Sequence, residues 1–272
     1  MSKKNLSRLE HIEYYLGKDN VKNLFWKTDS IPPVWLIPAR LDSEYCHSEE
    51  TKNKEWKDYR TGVTYKMNNL GYRHDEDFDI ESLRQKEIIL SLGDSTTFGM
   101  CVERSECWPS RLEEKFQGKY SVINAGIPGA SNDSIARTGY CWVEALKKNI
   151  RSVCCVWAPM SLREFVSKSF QAGIHTLEND NLPYEDWWNH IDWVANNYNY
   201  WKDRCLLKSV CEANSIPFID LMINVGDKKY QFDTISFGNY NPVGPLSNQA
   251  LANWFYRHIN GQPSLYQEIM QS

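Results

Sequence analysis

The sequence predicts an α/β fold in which a parallel β-sheet lies between two layers of helices. Two observations support this prediction. Beyond residue 86, short apolar runs typical of buried strands alternate with segments that have helical periodicity. Successive apolar runs are far enough apart for the helical crossover that a parallel strand requires. In such sheets, functional residues lie at the carboxyl ends of the strands.

Four strands and four helices are expected between residues 87 and 259. The strands are predicted at residues 88–92, 120–125, 152–157 and 217–223. The helices are predicted at about residues 108–116, 133–147, 184–213 and 247–259, and a break in the third is considered near Asn196. Pro109 suits the first turn of the first helix. An irregular polar segment is expected at about residues 170–184.

These elements predict a main domain at residues 86–262, with an insertion at about residues 165–190. Residues 1–85 are predicted to be an N-terminal extension packed on this domain. A short helix is expected in it at residues 6–16, where apolar residues recur at helical spacing. Residues 263–272 are predicted to be a tail.

The composition argues against several classes of partner. Lysine and arginine number 31 and acidic residues 35, a net charge of −4 without a basic cluster, so nucleic acid is not expected as a partner. No apolar stretch approaches membrane-spanning length, and the first residues lack the apolar region of a signal peptide. The predicted location is the cytoplasm, or a virus particle if the gene is viral.

The eight cysteines do not form a C-x-x-C pair, so a zinc site is not expected. Free thiols in a reducing compartment are predicted instead, with no metal and no cofactor. Aromatic residues are concentrated between residues 184 and 201. They fit two interpretations, the packing of a long helix in the core, which is favoured, or a sugar-binding cleft.

Ser95 is the candidate nucleophile. It follows a predicted buried strand within the sequence Gly93-Asp94-Ser95, where a strand ends abruptly and exposes a hydroxyl near backbone N–H donors. The loops at 126–132 and 158–163 follow the next two strands, so three loops are expected to converge at one sheet edge. The alternative interpretation is a turn serine that caps the next helix.

These motifs resemble those of the SGNH (GDSL-type) hydrolases. The resemblance covers about residues 87–260 and is carried by Gly93-Asp94-Ser95, by Asn124-Ala125-Gly126-Ile127-Pro128-Gly129 and by a late Asn-Pro before the last helix. The sequences at 68–73, 107–110 and 157–164 are also similar to SGNH-like proteins of tailed bacteriophages. The resemblance implies a flavodoxin-like three-layer α/β/α fold.

It also implies roles for individual residues. Ser95 would be the nucleophile, and its N–H, the N–H of Gly129 and an asparagine of the third block would form the oxyanion hole. The third block has Met160 in place of that asparagine. The candidate substitutes, also expected to contact the substrate, are Asn132, Ser161 and Arg163, with Trp157 beside them.

The last block departs further from the family pattern. Asn241 occupies the position of the catalytic histidine and Gly238 that of the aspartate. A serine hydroxyl without a base is a poor nucleophile, and His74 is the leading substitute base, followed by His175. Two alternatives stay open: a hydrolase of acyl or O-acetyl esters, including those of glycans, or an inactive module that binds glycans or assembles into a virion or homo-oligomer. Nucleotide binding is not expected, because no lysine follows the 126–129 loop.

Overall fold

The computed structural model describes residues 55–57, 62–160, 163–166, 172–175, 193–222 and 243–262. Only the backbone is described for 55–57, 163–166, 172–175 and 193. All of these residues belong to one compact unit, Val34–Ser272. The helix predicted at 6–16 and the tail at 263–272 lie outside the described residues.

The four strands and four helices predicted between residues 87 and 259 follow one another in the predicted order, with further short elements before and between them. The strands are β1 (Glu55–Lys57), β2 (Thr64–Lys66), β3 (Ile88–Gly93), β4 (Ser121–Gly126), β5 (Ile150–Trp157), β6 (Arg163–Val166), β7 (Ala172–His175) and β8 (Phe218–Met222). The helices are α1 (Ile80–Leu83), α2 (Ser95–Phe98), α3 (Trp108–Lys115), α4 (Asn132–Leu146), α5 (Trp193–Ala213) and α6 (Pro245–Ile259). A 3-10 turn at Arg104–Glu106 precedes α3.

The central sheet has four strands in the order β4-β3-β5-β8, and every pair is parallel. Its register places Gly93, the last residue of β3, opposite Gly126 of β4 and Val156 of β5. The three strands therefore end side by side, which brings the loops that follow them to the same edge. This confirms the predicted parallel sheet.

Helices cover both faces of the sheet. Side chains alternate along β3, so that Leu90 and Leu92 pack toward α4 and α5, whereas Ile89 packs toward α3 and α6. On the first face, a Cβ at Gly139 of α4 would lie 2.6 Å from a Leu92 methyl, so the helix approaches the sheet closely. On the second face, Trp108 stacks on Phe255 at 4.6 Å between ring centres. The predicted three-layer α/β/α fold is confirmed.

Two parts of the chain differ from the expectation. Residues 163–166 and 172–175 form an antiparallel pair, although an irregular segment was predicted from 170. A strand of four residues is too short to show a clear apolar alternation in the sequence. It is recognised only from its pairing with a partner strand. The long helix runs through Asn196 without a break, and its predicted start at 184 lies outside the described residues.

The segment before β3 contributes side chains to the core. Tyr72 and Phe78 are buried in the cluster that α4 closes, and the indole of Trp142 donates to the Tyr72 hydroxyl at 3.2 Å. Burial raises the pKa of Tyr72 well above its ordinary value, so the phenol stays protonated. Tyr65 packs on Phe98 of α2 in a smaller cluster.

Candidate active site

Ser95 is the first residue of α2, directly after the end of β3. Ser95 is 5% exposed, and its carbonyl oxygen accepts hydrogen bonds from the N–H groups of Gly99 and Met100, each at 3.0 Å. These two bonds close the helical turn that carries the serine. The turn therefore holds Ser95 in a fixed backbone position at the carboxyl edge of the sheet.

Two glycines allow α2 to pack tightly against the strand ends. A Cβ at Gly93 would lie 2.1 Å from the Thr97 hydroxyl and 2.7 Å from the Val156 carbonyl. A Cβ at Gly126 would lie 2.3 Å from the Phe98 nitrogen, which is backbone and cannot move aside. Both positions therefore require glycine. The buried Thr97 hydroxyl adds to this packing by donating to the Leu92 carbonyl at 3.1 Å.

The loop after β4 lies at the same edge as Ser95. The N–H of Ile127 donates to the Gly93 carbonyl at 3.0 Å, two residues before the serine. A turn closed by Ala130 and Ile127 then presents Gly129, which is exposed and has a φ of 73°. Within the described part of the chain, the Gly129 N–H has no hydrogen-bond partner. An N–H without a partner can bind an oxyanion, and the oxyanion role that the resemblance implies for Gly129 stays a prediction.

Asn132 connects this loop to the third one. Its side-chain oxygen accepts from the Ala158 N–H at 2.9 Å, and its side-chain nitrogen donates to the Ala158 carbonyl at 3.1 Å. The residue is fully buried. The structure gives Asn132 a role in fixing the loops after β4 and β5, and its predicted contact with a substrate stays a prediction.

Asp94 is a buried carboxylate between β3 and Ser95. It caps α2 by accepting from the Thr96 N–H at 2.9 Å. Burial raises its pKa to about 6, and the hydrogen bonds from Thr96 offset only part of this effect. Its side chain therefore organises the turn, which the sequence did not assign to it.

His74 lies away from Ser95. Its Nδ1 contacts the backbone of Glu76 at 3.2 Å, and its ring packs on Phe78 at 4.7 Å. It lines a cavity of about 380 Å³ beside the start of β4, at Ser121, whereas Ser95 follows the opposite end of the sheet. Burial lowers the pKa of His74 below that of an exposed imidazole. The structure places His74 beside the start of β4 and not beside Ser95, and its role as the substitute base stays a prediction.

Trp157, which was predicted beside the substrate, lies in the core of the domain. It is 1% exposed, its indole nitrogen donates to an Asp220 carboxylate oxygen at 2.9 Å, and its ring meets Tyr200 edge-on. These contacts give Trp157 a packing role, and its predicted contact with a substrate stays a prediction. The Trp157 side chain lies on the face of β5 that packs against α5 and the core.

The side chains of several other residues of the expected site are not described. Ser161 and Asn241 lie outside the described residues, as does Gly238, and Arg163 is described only as the first backbone position of β6. His258, the other histidine whose side chain is described, contacts the Trp254 carbonyl in the last turn of α6. Neither of the two histidines whose side chains are described lies beside Ser95, and His175 is described only as the last backbone position of β7.

The described residues also bear on metals and membranes. Within them, no group of three or more His, Cys, Asp or Glu side chains is placed to bind a metal ion. Cys154 and Cys155 are buried thiols of β5, and burial raises the pKa of both. In the part of the chain that is described, every helix is too short or too polar to span a membrane.

Sequence comparison gives a match over one short region. The chain is 42% identical over 52 residues to thioesterase 1/protease 1/lysophospholipase L1 of Escherichia coli strain K12, and equally to that of strain CFT073. The match covers 19% of this chain and a quarter of the length of these relatives. No family model matches the chain.

Solved structures give distant matches. AlinE4, an SGNH-hydrolase family esterase, is 11% identical and matches over 66% of this chain and 76% of its own, with a TM-score of 0.33. A G-D-S-L family protein from Desulfitobacterium hafniense DCB-2 is 16% identical over 63% of this chain and 98% of its own, also with a TM-score of 0.33. Scores this low support no inference about function. The chain is similar to SGNH (GDSL-type) hydrolases, as its motifs predicted.

Proposed function

We propose that this protein is a serine ester hydrolase in which Ser95 attacks an acyl or O-acetyl carbonyl. The observation that supports it is the convergence of the Ser95 turn and the Gly129 loop. The β3–β4 register and the bond from Ile127 to Gly93 bring the two to one sheet edge. Small esters and O-acetylated carbohydrates are the substrate classes that fit this chemistry.

In the proposed reaction, the Ser95 oxygen bonds to the carbonyl carbon and its proton passes to a base. The carbonyl oxygen becomes an oxyanion, which the exposed N–H of Gly129 stabilises. The tetrahedral intermediate then collapses: its C–O bond to the leaving group breaks, the base returns the proton to the departing oxygen, and the alcohol leaves. Water then hydrolyses the acyl enzyme that remains.

Asn241 stands where the related hydrolases have their catalytic histidine, and this difference determines the turnover rate that we expect. In other serine hydrolases, removal of the catalytic histidine costs about 10⁶ in kcat and leaves about 10³–10⁴ over the uncatalysed rate. With asparagine at position 241, we expect slow turnover unless a base comes from outside the described residues. Covalent labelling is therefore a more sensitive test than turnover.

The test combines p-nitrophenyl acetate hydrolysis with fluorophosphonate labelling, followed by intact-protein mass spectrometry. We expect Ser95→Ala to abolish both. Ser91→Ala is the matched control, because Ser91 lies on β3, the strand that leads to Ser95, and its buried hydroxyl has no partner among the described residues. Wild-type protein that neither turns over nor becomes labelled would contradict the proposal, as would activity retained in Ser95→Ala.

A glycan-binding module is the second candidate function. The core-packing interpretation of the aromatic region holds for Tyr200, which packs on Trp157, but Tyr198 is 71% exposed and Trp201 52% exposed on α5. Exposed aromatic rings suit the apolar faces of sugars. This candidate gains support if labelling fails while an acetylated polysaccharide binds the wild type and not Trp201→Ala.

A further inference from the structure

Arg73 is a fully buried arginine, and the carbonyls that accept hydrogen bonds from its guanidinium all lie in the turn after the nucleophile. It is 1% exposed. One of its terminal nitrogens donates to the carbonyls of Phe98 and Gly99, and the other donates to the Val102 carbonyl at 2.9 Å. Its guanidinium carbon lies 4.7 Å from the centre of the Tyr65 ring. Three carbonyl groups within five residues are thus held by one side chain.

The same turn holds Ser95. The Gly99 N–H donates to the Ser95 carbonyl, while the Gly99 carbonyl accepts from Arg73. Gly99 has a φ of 82°, and a Cβ there would lie 2.4 Å from the Cys107 Cβ and 3.0 Å from the Arg73 guanidinium. Gly99 therefore links Arg73 to the backbone of the nucleophile, and its close neighbours leave no room for a side chain at this position.

Burying the charge of Arg73 costs free energy, which argues that this side chain does more than fill space in the core. A buried charge is expensive unless it is paired, and none of the ion pairs among the described residues includes Arg73. The Arg73 Nε–H has no hydrogen-bond partner there either. Its planar fork, however, matches several carbonyls at once, which a lysine ammonium on a flexible stem does not.

We propose that Arg73 is a positioning residue that fixes the Ser95 turn for nucleophilic attack by clamping the carbonyls of Phe98, Gly99 and Val102. The catalytic part of this inference rests on the proposed esterase function. The clamping of the turn does not, so the two are tested separately.

The first measurement is the rate of Ser95 labelling by a fluorophosphonate across a range of probe concentrations. We expect Arg73→Lys, which keeps the charge but loses the fork, to lower the maximal labelling rate by about 10- to 100-fold with little change in the half-saturating concentration. Arg73→Met should do the same. A labelling rate in Arg73→Lys equal to that of the wild type would overturn the proposal.

The second measurement is amide hydrogen exchange, which needs no activity. Loss of the clamp should speed exchange of the Gly99 and Met100 N–H groups, the donors to Ser95, by about tenfold or more. Leu146→Ala is the control, because it opens a cavity at the far end of α4 and lowers stability away from the turn.

The two measurements separate the two claims. Unlabelled wild type with faster exchange in Arg73→Lys would refute the esterase and support the clamp. Unchanged exchange at Gly99 and Met100, or an equal change in Leu146→Ala, would overturn the clamp.

Discussion

The carboxylate of Asp94 shows how burial beside the nucleophile creates a pH-dependent term in stability. Its pKa is about 6 in the folded protein, whereas an exposed aspartate has a pKa near 3.8. Folding therefore favours the protonated form. The stabilisation from this residue is present at low pH and is lost as the pH rises through about 4 to 6.

Asp94→Asn should remove this term. Asparagine is also a good N-cap and can still accept from the Thr96 N–H. We expect the free energy of unfolding of the variant to exceed that of the wild type by up to about 3 kcal/mol at pH 7, and the two values to converge at pH 4. Urea unfolding at several pH values measures this difference.

The matched control is Asp79→Asn, at the exposed cap of α1. The hydrogen bonds from Ser82 lower the pKa of Asp79, so its contribution has the opposite sign and is lost as the pH falls. If Asp94→Asn keeps the pH dependence of the wild type, the carboxylate is not buried as described.

At this scale, the sequence was informative about single residues in a recognised motif. Ser95 and Gly129 were identified from Gly-Asp-Ser and from the Asn-Ala-Gly loop. The role of Arg73 was not, because it depends on contacts with carbonyls 25 to 29 residues away. The surroundings of Trp157 and His74 were not predictable for the same reason, since they come from α5 and from β4.

At the scale of elements, α4 and α5 meet through a pair of acidic side chains. Asp133 in the first turn of α4 faces Asp203 of α5, and Lys202 lies 3.4 Å from an oxygen of each. The second oxygen of each carboxylate is buried and has no partner among the described residues. Burial, and then repulsion from Asp133, raise the pKa of Asp203.

This contact should weaken as the pH rises above the ordinary range of a carboxyl, because the pair then carries two charges against one lysine. Asp203→Asn replaces one charge by an amide that can donate to Asp133. At pH 8 we expect its melting temperature to exceed that of the wild type by about 2–4 °C, the shift that a gain of about 1 kcal/mol produces. The difference should shrink at pH 4. Glu212→Gln, an exposed change on the same helix, should leave the melting temperature unchanged at both pH values.

Long elements were predictable because their side chains repeat with a clear period. The observed bounds of α3, α4, β3 and β5 lie within two residues of those expected. The short pairs β1–β2 and β6–β7 were not recognised, because a strand of three or four residues acquires its conformation from its partner.

At the scale of the whole molecule, the loops at the carboxyl edge of the sheet are held by bonds between distant elements. Asn132 fixes the loop after β5 to the start of α4. Asn248 of α6 accepts from the Trp108 N–H at 2.9 Å and donates to the Gly244 carbonyl, which joins α6 to α3. The sequence predicted the layers and the edge, but not these side-chain bonds, because they require the three-dimensional order of the helices.

The central claim is that Ser95 and Gly129 act on one substrate carbonyl group at this edge, Ser95 on its carbon and the Gly129 N–H on its oxygen. Its most direct test is a crystal structure of the protein after reaction with a fluorophosphonate. We predict phosphorus bonded to the Ser95 Oγ, with the phosphonyl oxygen about 2.7–3.1 Å from the Gly129 nitrogen. An adduct on another residue, or a phosphonyl oxygen directed away from Gly129, would contradict the account.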